Sequence, residues 1–247
     1  MTSEERLACF YLTVKRLIEN RGYAMELAWH EHVPRRDHTE HDVLAEATWA
    51  ILSVGMADRV VRQVHQRVMV RLDGLPSAAH LVDDRVRLET AALEVFRHRG
   101  KVDAIFGFAA YLRRIGTEEL VRRLHQNPVE ALAGLRFFGP ASSLHLAKNL
   151  GVRVAKPDRH LVRLSGLTGH TPQELCDRLA GLSNDDVHVI DYVLWRYLSL
   201  DRRFLSLARC FLCPEAVPAS PQPQPKPALP AQRQAPSRPH QTQTSCS

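Results

Sequence analysis

Glycine supplies only 12 of the 247 residues, and proline appears just six times before Pro214. A β protein built on many turns needs more of both, so the scarcity points to a helical body. No uninterrupted apolar run approaches the roughly 18 residues that span a bilayer, which argues against a membrane-spanning helix. Residues 1–20 carry Glu4, Glu5, Arg6, Lys15, Arg16 and Glu19 among their apolar positions. That pattern is an amphipathic helix and not a signal sequence. The five cysteines (Cys9, Cys176, Cys210, Cys213 and Cys246) are an odd number and mostly scattered. A disulfide framework is excluded, and a reduced cytoplasm is the expected compartment.

What is present is ordinary globular composition, 45% hydrophobic and 24% charged, with a formal charge of +6 that suits an anionic partner. The composition changes at Pro214. Nine of the 15 prolines lie from there to the end, among Gln, Ser and Ala. Such a segment buries too little to offset its ordering entropy, so residues 214–247 are expected to be a disordered tail and residues 1–213 one helical domain. A protein partner for the tail's extended segments is the alternative use.

The body reads as helix after helix. Val60, Val64, Val68 and Leu72 repeat at four, and Val102, Ile105, Phe106, Ala109 and Leu112 keep the 3.6 period. Thr117 after Gly116, Asn127 before Pro128, and Thr171-Pro172-Gln173-Glu174 read as helix starts. Strand alternation and solenoid repeats are missing. The fold class expected is all-α.

One stretch carries more. Leu135-Arg136-Phe137-Phe138-Gly139-Pro140-Ala141-Ser142-Ser143, then residues 144–150 and Gly151, reads as a helix end, a tight hairpin around Gly139 and a second short helix. Leu144, Ala147 and Leu150 share one face of that helix, and the backbone N–H groups at its start make a phosphate site. Further on comes Val154-Ala155-Lys156-Pro157-Asp158-Arg159-His160-Leu161-Val162-Arg163-Leu164. Pro157 suits a first helical turn, which puts Asp158 at or beside a helix N-terminus, where its ionised form is favoured.

Together these segments resemble the helix-hairpin-helix (HhH-GPD) DNA glycosylases, the endonuclease III-like superfamily of base-excision repair. Members carry a hairpin of the form L-P-G-h-G-x-K-T-A and a second signature, h-D-T-H-h-x-R-h, holding the catalytic aspartate. Leu135, Phe138, Gly139 and Ser142 fall on hairpin positions, and Asp158, His160, Leu161 and Arg163 on the second signature. The Gly151-to-Asp158 interval also matches. The hairpin spans about 133–151 and the catalytic loop about 152–164, within a matching core of roughly 130–166. The resemblance implies a monomeric enzyme that flips a damaged or modified base from duplex DNA and hydrolyses its N-glycosidic bond. Asp158 would stabilise the oxocarbenium-like sugar or activate the attacking water, with a helix cap as its alternative role. Phe138, Gly139, Ala141 and Ser142 would meet the DNA backbone. His160 and Arg163 would support structure or contact phosphate, and Lys148 and Lys156 would flank the DNA face.

The departures carry expectations too. Phe137 stands where the hairpin usually has its first Gly, so the turn must be built differently. Ala141, or Pro140 if the length difference falls elsewhere, occupies the position of the Schiff-base lysine of bifunctional members. Base release without strand cleavage is therefore expected. Lys156 is the only sequence-near amine, and the Lys-Pro-Asp geometry is expected to point it elsewhere. Cys210-Phe211-Leu212-Cys213 is a solitary pair that cannot complete a four-thiolate cluster, and no cofactor is expected.

A late helix over residues 184–200 sets Asp191 and Trp195 at i, i+4, on one face. The spacing is similar to that of an acidic residue and a tryptophan near the pocket of archaeal 8-oxoguanine glycosylases. These two, with Trp49 and Ser53 on another core helix that ends near Met56, are the candidate base pocket. His30, His32, His38 and His41 could in principle bind zinc, but no Cys or HExxH accompanies them, and a polar entry loop without metal is expected. Two other classes compete: a helix-hairpin-helix DNA-binding protein that has lost catalysis, favoured by Phe137 and Ala141 and opposed by Asp158 and His160, and a helical protein-interaction domain using the tail.

Overall fold

Capping chemistry starts the chain. The Thr2 hydroxyl accepts from the Glu5 amide while the Glu5 carboxylate accepts from the Thr2 amide, opening α1 (Ser3–Ile18), which buries Leu7, Phe10, Tyr11, Val14 and Ile18. The computed structural model describes residues 2–32, 37–201 and 203–212, and all regular structure among them is helical. The tail expected from Pro214 onward, and Cys213, lie outside the described residues.

A kink at Gly22, where φ is 89°, turns the chain into α2 (Ala24–His32). There follow α3 (Glu40–Ser53), α4 (Asp58–Arg71), α5 (Ala78–Asp83), α6 (Arg85–Val95), α7 (Arg99–Ile115), α8 (Thr117–Gln126), the single turn α9 (Pro128–Ala131), α10 (Pro140–Asn149), α11 (Arg159–Leu167), α12 (Pro172–Ser183), α13 (Val187–Leu200) and α14 (Arg203–Leu212). Among the described residues no helix is long and apolar enough to cross a membrane.

Two cores organise these helices. Apolar residues from α3 to α10 form one, and α1, α2 and α11–α14 form the other. The chain thus begins in the second lobe, builds the first, and returns through residues 150–158. At the centre of the second lobe lies α13, with 11 of its 14 residues buried against α1, α2, α11, α12 and α14. A helix apolar nearly all round is one enclosed by neighbours.

The apolar period of α7 places Val102, Ile105, Phe106, Ala109 and Leu112 in the first core as expected. Four sequence expectations shift. Val60 is exposed and Val61 is buried instead, because the inward stripe of α4 runs through Val61, Val64 and Val68 to Leu72. Gly116, not Thr117, is the N-cap of α8, since its φ of 82° makes a turn that Thr resists. Asn184 caps the end of α12 in the left-handed conformation, so the late helix begins at Val187. His30 and His32 sit on α2 rather than in an entry loop, and Thr39 caps the helix that carries His41.

Candidate active site

The hairpin is real and is built without its usual glycine. Phe137 itself takes the left-handed turn, with φ 68°. Gly139 is extended (φ −86°, ψ −178°) and serves as N-cap of α10, with Pro140 in the first turn. Contacts on both sides hold Phe137: His98 lies edge-on at 6.0 Å, and the Lys101 ammonium and Arg136 guanidinium stand 6.0 and 5.9 Å from its ring centre. Inside the turn the Ser142 hydroxyl donates to the carbonyls of Phe137 and Gly139, at 2.6 and 3.1 Å. Ser142 is thus a brace of the hairpin. Gly139, Pro140 and Ala141 are exposed, and no side chain caps the first amides of α10. An uncapped helix start presents N–H donors and a positive dipole end to any anion that approaches.

Two residues expected on the DNA face are not there. Phe138 is 7% exposed and packs 5.6 Å from Phe108, because the left-handed Phe137 turns its successor into the first core. Lys148 is 6% exposed, and its Nζ donates to Asp191 Oδ1 at 2.5 Å. That pairing also corrects the expectation for Asp191 as acceptor of a base edge. Its second oxygen accepts from the Lys156 amide at 2.7 Å, so both carboxylate oxygens are committed. Asp191 is a buried clasp joining α10, the returning loop and α13.

The returning loop is pinned residue by residue. The Ala155 amide donates to Gln173 on α12 and the Lys156 amide to Asp191 on α13, both at 2.7 Å. The Asp158 amide then donates back to the Lys156 carbonyl at 2.8 Å across Pro157. Asp158 is the N-cap of α11, its Oδ1 accepting from the amides of His160 and Leu161 at 2.8 and 2.9 Å. Among the described residues Oδ2 accepts no hydrogen bond. Capping and catalysis are therefore compatible: one oxygen holds the helix and the other is free to meet a ligand. On the same helix His160 and exposed Arg163 line, with Arg159, Leu198 and Leu205, a groove of about 350 Å³. Burial lowers the His160 pKa most, with Asp158 pulling it back.

Lys156 does not point away. Its Nζ lies 3.3 Å from Nδ1 of His145 on α10. Both groups are buried and both are shifted toward neutrality, His145 well below the usual imidazole value by burial and then by Lys156, Lys148 and His30. Beyond His145 the polar seam between the lobes continues. His30, 8% exposed, stacks on Tyr192 with ring centres 4.4 Å apart, and Trp29 stands edge-on to it at 4.8 Å. Tyr192 neighbours Trp195 at 6.3 Å. Glu26 accepts from the Tyr192 hydroxyl, from Arg196 and from Arg62, at 2.9, 2.7 and 3.2 Å. The Arg62 guanidinium in turn lies 5.8 Å from the Trp49 ring centre. All three tryptophans of the chain thus attach to one seam, with Trp195 half-buried under Arg196 at 4.5 Å. Ser53 does not join them, since its hydroxyl donates to Ala50 within α3.

His145, His30, Tyr192, Glu26 and Arg196 escaped the sequence reading. The only signal was polar residues recurring on faces that are otherwise apolar, which does not reveal which face meets which. Among the described residues no three His, Cys, Asp or Glu side chains gather where a metal ion would bind. Comparison with protein-family models, with curated proteins and with solved structures finds no match to this chain.

Proposed function

We propose that this protein is a DNA glycosylase that hydrolyses the N-glycosidic bond of a damaged or modified base. The observation that carries the proposal is Asp158, which caps α11 with Oδ1 alone and keeps Oδ2 unengaged beside the seam between the lobes. A carboxylate in that position opposes the positive charge that grows on deoxyribose as the base departs, or orients the water that attacks it.

The rest of the surroundings support the same chemistry. His145 lies five residues into α10, about 7.5 Å along its axis from Pro140. The open amides of α10 are therefore two or three nucleotides' rise from the Lys156–Asp158 turn, a span suited to gripping a phosphate next to an extruded nucleotide. The aromatic seam of Trp29, Tyr192 and Trp195, with Glu26 and the arginines, offers stacking faces and hydrogen-bonding edges for a flipped base. Arg159, His160 and Arg163 add a basic rim.

The test is incubation of the protein with end-labelled duplexes, each bearing one of a panel of modified bases, followed by alkali. Alkali-dependent cleavage at a modified position supports the proposal. Salt-sensitive binding with no base release from any duplex favours the DNA-binding protein without catalysis.

A further inference from the structure

Two buried lysines stand at the centre of the molecule, and they are partnered differently. Lys148 has a carboxylate, Asp191. Lys156 has a ring nitrogen, Nδ1 of His145, as its one hydrogen-bond partner, and it forms no ion pair among the described residues. Burying an ammonium without a counter-charge is costly, and the cost falls away when the amine is neutral. The surroundings act in that direction. Burial first, and then the Lys148 ammonium, hold Lys156 below the ordinary lysine range, against the pull of Asp158, Asp191 and Asp58. His145 is neutral as well, so it can accept a hydrogen bond and does not add a second charge.

The backbone fixes where this amine sits. The Lys156 amide is held by Asp191, and its carbonyl accepts from the Asp158 amide in a three-residue turn over Pro157. Lys156 and Asp158 are thereby locked as neighbours with no freedom to separate. A structural lysine needs only its charge satisfied, as Lys148 is. A rigidly held, neutral amine beside the carboxylate that receives the sugar is the arrangement of a nucleophile.

Resting on the assignment of Asp158 to the sugar, we infer that Lys156 is an imine-forming nucleophile and that the protein cleaves DNA strands at abasic sites. The expectation of base release alone considered the hairpin position; this amine comes from the returning loop. In the step, the Lys156 nitrogen lone pair adds to the C1′ aldehyde carbon of the ring-opened sugar. The carbonyl π pair moves to oxygen, which takes up a proton, and the nitrogen sheds one to His145. The carbinolamine loses that oxygen as water after a second protonation, leaving an iminium. Loss of the C2′ proton then lets the C3′–O bond break, its electron pair leaving with the 3′ phosphate. Water hydrolyses the remaining imine and returns Lys156. No oxidant or reductant is consumed.

The test uses the full chain and a duplex with a single preformed abasic site, so it does not depend on knowing the excised base. Borohydride reduces the imine to a stable protein–DNA adduct, and peptide mapping locates it. A wild-type adduct on Lys156, lost in Lys156→Gln while abasic-duplex affinity is kept, is expected. Mapping of the wild-type adduct decides the matter even if the variant folds poorly. An adduct on another residue, or one that persists in Lys156→Gln, overturns the inference. So does a wild-type protein that binds the duplex and releases a modified base yet gives no adduct, an outcome that leaves the glycosylase proposal intact. Failure to bind any duplex overturns both together.

Discussion

Asp158→Asn separates the two jobs of one carboxylate. Asn equals Asp as an N-cap, so its side-chain carbonyl keeps accepting from the His160 and Leu161 amides, now at 2.8 and 2.9 Å. With only the charge–dipole contribution lost, stability should change by less than about 1 kcal/mol. The effect on chemistry is larger. A carboxylate about 4 Å from a full positive charge is worth roughly 4 kcal/mol at an effective dielectric of about 20. At ~1.4 kcal/mol per decade, its removal slows base release by about a thousandfold. Asp158→Ala is the complement, losing the cap as well and about 0.5–2 kcal/mol of stability with it. Single-turnover base release, thermal melting and duplex affinity measured on all three proteins separate these effects. Wild-type base release by a folded Asn variant would refute the assignment, because the cap would then be the whole role of Asp158.

Other perturbations follow from the same geometry. A Cβ added at Gly139 meets nothing within 4 Å, so Gly139→Leu should fold normally yet weaken binding to every duplex alike, with a shallower salt dependence in fluorescence anisotropy. Trp195→Ala should reduce kcat/KM on the active substrate more than it reduces affinity for unmodified DNA; an equal loss in both would remove Trp195 from the pocket. Asp191→Asn leaves the buried Lys148 ammonium unpaired and should cost about 3–5 kcal/mol in urea denaturation. Burial, then Lys148, His188 and Arg196, hold His30 at about 2, so the folded protein keeps it neutral while the unfolded chain protonates it near 6.5. Its stabilising contribution is present above pH 6.5 and lost as pH falls, by roughly 2 kcal/mol between pH 7 and 5. Denaturation of His30→Asn at both pH values should show a correspondingly smaller decline than wild type.

Local signals were legible and distant pairings were not. Thr171 and Glu174 lie within one turn, so their capping box follows from four letters, and Asp158 as a helix start follows from the proline before it. The inward stripe of α7 was readable because Val102 through Leu112 are apolar on one face only. On α4 two adjacent valines, Val60 and Val61, fit an apolar stripe equally well, and only packing selects between them. Lys148 and Asp191 are separated by 43 residues, so nothing local reports their pairing, and each alone looks like a surface group. Phe137 was visible as a departure from a glycine position. That it would adopt the glycine's left-handed backbone depends on His98, Lys101 and Arg136, which come from elsewhere in the first lobe.

The central claim is that Asp158 faces a sugar on which positive charge develops. It can be tested without identifying the base. Two duplexes are compared, one with a cationic pyrrolidine ring in place of a single deoxyribose and one with an uncharged tetrahydrofuran ring there. A carboxylate arranged for the transition state should bind the cationic ring about tenfold or more tightly, and Asp158→Asn should erase the difference. Equal wild-type affinities for the two duplexes would contradict the claim.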